Sequence, residues 1–139
     1  MHQLRSFRTV DDAAQAAIGM LVDGESLSRI WRFVVVQMFD DYLSVLRHDG
    51  SRAASRMWQV PPERTGDTRV DAAFAALAEY VGRRDGWRVP SWVRESERDA
   101  RPWWFVTELR GLQPTAMVQS PSSFRRRGVF ITRGALERV

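Results

Sequence analysis

The sequence contains no cysteine and only two histidines, His2 and His48. The absence of cysteine excludes disulfide scaffolds, thiolate metal sites, iron–sulfur clusters and cysteine nucleophiles. Two histidines are also too few for a histidine-rich metal site. We therefore predict a protein without a bound metal, a cofactor or a catalytic thiol.

Lysine and asparagine are absent as well, so all 21 basic residues are arginines. Guanidinium groups stay protonated far above neutrality, which explains the high isoelectric point. Against 17 acidic residues they leave a formal net charge of +4. Dedicated nucleic-acid-binding proteins usually carry a denser basic face. The charge therefore permits a nucleic acid partner without requiring one.

Long apolar runs are missing too. The longest strongly apolar stretch is Phe33-Val34-Val35-Val36, far short of the ~20 residues that a membrane-spanning helix needs. Arg5 and Arg8 are not followed by an apolar segment with a small-residue cleavage site, so we expect no signal peptide. From these patterns we predict a cytoplasmic protein.

The composition that is present favours one globular domain. Hydrophobic residues make up 44% of the 139 residues, and a chain of this size buries roughly 70% of the surface that its unfolded form exposes. We predict a single domain over residues 1–139. A helical body covers about residues 9–86, and an aromatic, proline-rich segment with short strands covers about residues 87–139.

Amphipathic spacing predicts two helices in the first third of the chain. The first follows Thr9, which forms a capping-box pattern with Asp12, and ends at Gly24. The second runs over about residues 26–47 and is apolar around most of its circumference. Because such a helix is usually buried by several neighbours, we expect it to be the long central helix.

A third helix completes the predicted core. It begins at Thr68, which forms a second capping-box pattern with Asp71, and stops at Gly86. Residues 51–58 are expected to form a short helix. Near the C-terminus, residues 115–119 and 129–132 are two candidate strands joined by a helical turn that begins at residues 120–123. The predicted fold is therefore mainly α, with a three-helix core and a small two-stranded β element.

Catalytic constellations are not apparent in the sequence. The pair His48-Asp49 lies at a predicted helix end, where a histidine commonly caps carbonyl groups. Asp40 and Asp41 are adjacent, so on a helix they point about 100° apart. The alternating charges of residues 94–101 are typical of a solvated turn. We predict that the protein is not an enzyme.

Six tryptophans are many for a chain of this length, and five of them lie between residues 58 and 104. They could form a stacking platform for bases, an anchor cluster for a protein partner, or a second layer of core. Trp31, on the predicted central helix, fits the core best. For Trp103 and Trp104 the core and interface interpretations weigh nearly equally.

The densest positive charge is the triplet at residues 125–127, with Arg133 close in sequence. Each guanidinium offers a forked pair of donors to phosphates or carboxylates. The alternative is a solvated arginine-rich turn. We favour a charged partner for this turn.

Two parts of the sequence carry a resemblance when taken together. One is TGDTRVDAAFAALAEY at residues 65–80, followed by Pro90-Ser91-Trp92-Val93. The other is SPSSFRRRGVFI at residues 120–131 with LERV at residues 136–139. Over about residues 60–139 the chain resembles a family of small uncharacterised proteins from GC-rich bacteria that accompany nucleotidyltransferase-like toxins. Some relatives carry an added helix-turn-helix domain, for which residues 1–50 show no convincing pattern.

The resemblance implies an antitoxin-like or accessory role in a toxin–antitoxin system. We accordingly predict a non-enzymatic protein-binding module whose partner is a toxin-like enzyme. Two alternatives stay open, an RNA- or DNA-binding module and a self-associating domain that forms a homodimer. The predicted partner-binding residues are Trp87, Trp92, Trp103, Trp104, Phe124, Arg125, Arg126, Arg127 and Arg133.

Overall fold

The computed structural model describes residues 6–137 and confirms the predicted fold class. The chain is mainly helical, with a small two-stranded parallel sheet near the C-terminus. Within the described residues, no helix combines the length and the apolar character that crossing a bilayer requires.

The first helix, α1, spans Val10–Val22 and begins as predicted. The Thr9 hydroxyl accepts a hydrogen bond from the backbone N–H of Asp12, and the Asp12 carboxylate accepts one from the backbone N–H of Thr9. These two bonds are the predicted capping box. The chain then turns at Gly24, whose φ of +75° is open to glycine at little cost.

The second predicted helix forms over α2 (Leu27–Ile30), a π-helical turn (Trp31–Val35) and α3 (Val36–Asp49) in direct succession. A π-helical turn contains one residue more than an α-helical turn. Val34 and Val35, at the end of this turn, and Val36, the first residue of α3, are all buried. The helix stops at Gly50, which has a φ of +88°, and the short helix α4 (Ser51–Arg56) follows as expected.

The most enclosed helix is α5 (Thr68–Asp85), in contrast to the prediction that residues 26–47 would be central. Every residue from Val70 to Glu79 is buried, with Phe74 and Leu77 fully so. Alanines occupy much of the remaining surface of this stretch. Because their side chains are small, neighbouring segments pack closely on several sides of α5. A pattern search that weighs large apolar residues does not detect this kind of burial.

The predicted capping box at the start of α5 is wrong. Asp67 is the N-cap, and its carboxylate accepts the backbone N–H two residues further on. The Thr68 hydroxyl instead donates to the carbonyl of Arg101 and accepts its backbone N–H, each at 3.0 Å. Asp71 accepts both the backbone N–H and the hydroxyl of Thr65, at 2.9 and 2.8 Å. Arg101 and Thr65 thus bind the two side chains that the local pattern paired with each other.

The C-terminal part wraps onto α5 through short elements. In chain order they are two 3₁₀ turns (Ser91–Arg94 and Ser96–Arg98), β1 (Trp104–Phe105), a 3₁₀ turn (Arg110–Leu112), α6 (Gln113–Gln119), α7 (Ser122–Arg125) and β2 (Val129–Phe130). Strands β1 and β2 are parallel, with Trp104 opposite Val129 and Phe105 opposite Phe130.

One of the two predicted strands is wrong. Residues 129–130 form β2, but residues 115–119 lie in α6. The Ser120 hydroxyl donates to the Ala116 carbonyl and accepts the backbone N–H of Ile131, so it closes the end of α6 while fixing the chain after β2. The strand that pairs with β2 comes from residues 104–105, which the sequence placed only in an aromatic segment.

We predict that Phe74→Ala, in the middle of α5, lowers the free energy of unfolding by about 3–5 kcal/mol, because it leaves a cavity in a fully packed site. Urea denaturation measures the change. The control is Val22→Ala, since Val22 is 81% exposed and its truncation should stay within about 0.5 kcal/mol. Equal effects of the two variants would contradict the central position of α5.

Candidate functional site

Three of the predicted partner-binding aromatics belong to the core, so the prediction is wrong for them as surface anchors. Trp92 and Trp104 are 4% and 6% exposed, and Phe124 is fully buried. The Trp92 indole N–H donates to the Trp58 carbonyl at 2.7 Å. Trp104 packs edge-on against Trp31 with ring centroids 5.6 Å apart. Each ring therefore serves the interior, where large aromatics contribute most of their apolar area.

Trp87 is half-buried and holds an internal network together. Its indole N–H donates to the Tyr42 hydroxyl at 2.8 Å, and that hydroxyl donates to the Asp85 carboxylate. Burial and the hydrogen bond to Asp85 raise the pKa of Tyr42 well above its ordinary value. The polar end of Trp87 is thus directed to a partner within the chain.

The arginine turn at residues 125–127 divides between interior and surface. Arg127 is buried, which corrects its prediction as a contact residue. Its guanidinium donates to Glu79 Oε1 at 2.8 Å, to the Ser123 carbonyl at 2.7 Å and to the Val93 carbonyl at 2.9 Å. Arg125 and Arg126 remain exposed. The buried arginine joins α7 and the segment after α5 to a carboxylate on α5.

Glu79 is the centre of this cluster. Its side chain is only 3% exposed, and it pairs with Arg126 and Arg127 through Oε1 and with Arg83 through Oε2. Burial alone raises the pKa of the Glu79 carboxyl. The hydrogen bond from Arg127 and the charges of all three arginines outweigh that effect and hold the pKa below its ordinary value of 4.5.

Trp103 is the aromatic of the predicted partner-binding set that stays on the surface, with 63% of it exposed. Its ring packs edge-on against Phe130 in β2 at a centroid distance of 5.3 Å. It also lies on Gly128, the residue that ends the arginine turn. A Cβ atom at position 128 would lie 2.6 Å from Trp103 Cδ1, and Gly128 has a φ of +75°. Glycine is therefore required there on both steric and conformational grounds.

Three predicted partner-binding arginines are also exposed. They lie close in sequence to Gly128 and Phe130, the two residues against which the Trp103 ring packs. Arg125 and Arg126 lie three and two residues before Gly128, and Arg133 follows β2. The backbone N–H of Arg133 donates to the Gln119 side chain of α6 at 2.8 Å. We call Trp103, Arg125, Arg126 and Arg133 the Trp103 surface. It comprises one anchored indole and three exposed arginines that lie close in sequence to Gly128 and Phe130.

Sequence reasoning missed a second exposed apolar group next to the sheet. α6 contacts β2, yet it buries only Ala116 of its own residues. The exposed apolar side chains of this segment are Leu109, Leu112, Met117 and Val118. The prediction of a strand over residues 115–119 hid part of this group, because a strand in a sheet would have buried either Met117 or its neighbour Val118.

The structure contradicts the prediction for one further charged segment and supports the prediction for another. The turn at residues 94–101 was expected to be solvated, but Arg98 is 2% exposed. Its guanidinium donates to the Pro62 carbonyl at 2.8 Å and lies over the Trp92 ring at 5.1 Å. His48 Nδ1 lies 2.8 Å from the Ser44 carbonyl oxygen, which supports its interpretation as a helix-end cap.

We predict that Glu79→Gln lowers the free energy of unfolding at neutral pH by at least about 3 kcal/mol, because it leaves the buried Arg127 guanidinium without its counter-charge. A carboxyl whose pKa is lowered by folding stabilises the protein above its unfolded pKa, and this contribution is lost as the pH falls through the folded value. The stability difference from the unaltered chain should therefore narrow below pH 4.5.

Denaturation between pH 3 and 7 measures this difference. Glu25→Gln is the matched control, because the exposed pair of Glu25 with Arg29 should contribute less than about 1 kcal/mol. A Glu79→Gln penalty that does not change with pH would contradict an ionised carboxylate at this position.

We predict that Gly128→Ala displaces the Trp103 indole and costs about 1–3 kcal/mol, from the left-handed backbone and the steric overlap together. In a Trp103→Ala background the overlap disappears, so the cost should fall by about 0.5 kcal/mol or more. The indole N–H signal of Trp103 in NMR spectra reports the displacement. Gly111→Ala is the control, since nothing lies within 4 Å of a Cβ there.

The candidate site is thus defined by an indole seated on Gly128 and by exposed arginines that lie close to Gly128 in sequence. The resemblance to antitoxin-like proteins stays a prediction. No known protein family, curated protein or solved structure matches this chain.

Proposed function

We propose that this chain is a non-enzymatic protein-binding module that engages its partner through the Trp103 surface. Exposure of Trp103 is the observation that carries the proposal. The other tryptophans are buried or half-buried, whereas this one is 63% exposed and still packed against Phe130 and Gly128. An indole held in one position loses little freedom on binding, and tryptophan is among the commonest hot-spot residues at interfaces.

The exposed arginines indicate the chemistry of the partner. The exposed residues Arg125 and Arg126 precede Gly128 in the sequence, and the exposed Arg133 follows Phe130. Positive groups at the rim of an interface favour a negatively charged counterpart and accelerate association. The proposed partner is therefore a protein with an apolar pocket for the indole and acidic residues at its rim.

The apolar side chains of residues 109–118 give this surface a further contact area. Leu109 and Val118 are 65% and 79% exposed, and α6, which carries Val118, contacts β2 as Trp103 does. Contiguous apolar side chains on a surface are typical of interaction sites. We propose that the partner covers part of this segment as well.

The finer identity of the partner is a separate proposal. The resemblance of residues 60–139 implies an antitoxin-like role beside a nucleotidyltransferase-like toxin. An arginine-rimmed surface suits such a partner, because enzymes that bind metal–nucleotide complexes carry acidic clefts. Binding there would mask the active site of the partner.

Nucleic acid is the second candidate, and the same groups favour it. An exposed indole beside guanidinium groups can stack on a base while the arginines contact phosphates. The two functions differ in their response to salt. Phosphate contacts weaken log-linearly with salt concentration, whereas an interface anchored by an indole in an apolar pocket weakens little.

We predict that Trp103→Ala weakens partner binding by about 30-fold, the effect of losing a hot-spot side chain worth about 2 kcal/mol. The tagged chain is used to isolate its complex from the source cell, mass spectrometry identifies the partner, and calorimetry with the purified partner measures the affinity. The matched control is Val60→Ala, because Val60 is also 63% exposed.

Several outcomes would overturn the proposal. Equal affinities for Trp103→Ala and the unaltered chain would remove Trp103 as the anchor. Co-purified nucleic acid whose binding falls steeply with salt would favour the second candidate. A homodimer that dissociates on Trp103→Ala, with no other protein bound, would assign the surface to self-association. Turnover by the purified chain would contradict a non-enzymatic role.

A further inference from the structure

The ion-pair cluster around Glu79 contains more positive than negative charges. Arg83, Arg126 and Arg127 all pair with the single carboxylate of Glu79. In the part of the chain that the structure describes, no other carboxylate forms an ion pair with any of these three guanidinium groups. Three cations on one anion leave a local excess of two positive charges.

The three arginines are unequal in their access to solvent. The Arg127 side chain is 8% exposed and its hydrogen bonds are directed inward. The Arg83 and Arg126 side chains are 58% and 52% exposed. Arg126 donates through Nη2 to Glu79 Oε1, and Arg83 Nη2 lies 3.0 Å from the opposite carboxylate oxygen, Oε2. The excess charge is therefore presented to solvent by two guanidinium groups that one buried carboxylate holds side by side.

We propose that Arg83 and Arg126 form a binding site for the dianion of a small phosphate monoester. Two forked guanidinium groups approach such an anion from two sides and donate to its three terminal oxygens. The local excess of two charges matches the charge of the dianion. A carboxylate carries a single charge, so it would compensate only half of this local excess.

Glu79 acts as a positioning residue in this site. It does not contact the phosphate, but it restricts the rotamers of Arg83, on its own helix, and of Arg126, which follows α7. Less side-chain freedom is then lost when the anion binds. Arg127 also contributes, because its charge compensates the charge of the buried Glu79 carboxylate. The charges of Arg83 and Arg126 then remain available for the ligand. The inference needs no protein partner and does not rest on the proposed function, although Arg126 belongs to both surfaces.

Titration calorimetry with inorganic phosphate at pH 7.5 tests the site, with ionic strength held constant by sodium chloride. We expect saturable binding of one phosphate per chain. Arg83→Gln and Arg126→Gln should each weaken it by about tenfold or more, since each removes one forked, charge-assisted contact. Arg56→Gln removes the same charge from the exposed surface of α4 and should change the affinity less than twofold.

Further ligands separate the dianion from other phosphates. Dimethyl phosphate carries a single charge and should bind about tenfold more weakly or not at all. A nucleoside 5′-monophosphate should bind at least as tightly as phosphate, and the free nucleoside should not compete with it. A tighter monophosphate would place the ester group in contact with the protein, whereas equal affinity would indicate recognition of the phosphate alone.

Folding is checked by the circular dichroism and unfolding midpoint of each variant. Arg83→Lys keeps the charge but loses the fork, so it should lower the affinity even where Arg83→Gln folds poorly. The proposal is overturned by an absence of saturable phosphate binding, by equal losses in Arg56→Gln and Arg83→Gln, or by equal affinities for phosphate and dimethyl phosphate. Binding of an oligonucleotide without binding of the monoester would also overturn it.

Discussion

The ion pair between Glu79 and Arg127 joins the two halves of this molecule. Glu79 lies on the most enclosed helix, and Arg127 lies in the turn that leads into β2. Both side chains are buried, so each charge depends on the other for compensation. The same arginine also binds the carbonyls of Ser123 and Val93. One guanidinium therefore fixes α7 and the turn at Val93, which are short elements with little stability alone, to α5.

The exposed groups of the C-terminal part depend on that attachment. Gly128 follows Arg127 directly and supports the Trp103 indole, while Phe130 in the paired strand packs against its edge. The surface that we propose as functional is thus built on a rigid support although it belongs to a segment of short elements. A binding group that is held in place contributes more to affinity than one that must first be ordered. The same attachment holds Arg126 beside Arg83.

Helices in the first part of the chain were predictable because their signals are local. The capping box at Thr9 and the stops at Gly24, Gly50 and Gly86 involve neighbouring residues only, and the structure has all of them. The pairing of the sheet was not predictable, since β1 and β2 consist of two residues each and lie far apart in sequence. Residues 115–119, which were expected to form a strand, lie in a helix instead. The Ser120 hydroxyl at the end of this helix accepts the backbone N–H of Ile131, a contact between segments that the local pattern does not contain.

Sequence alone established a cysteine-free, arginine-rich, mainly helical chain with an aromatic C-terminal part, since these properties follow from composition and short-range periodicity. It could not divide the tryptophans and arginines between interior and surface. Trp103 and Trp104 are adjacent, yet one is exposed and the other is core; Arg126 and Arg127 differ in the same way. Tertiary structure decided these cases, because burial of a side chain depends on which distant segment packs against it.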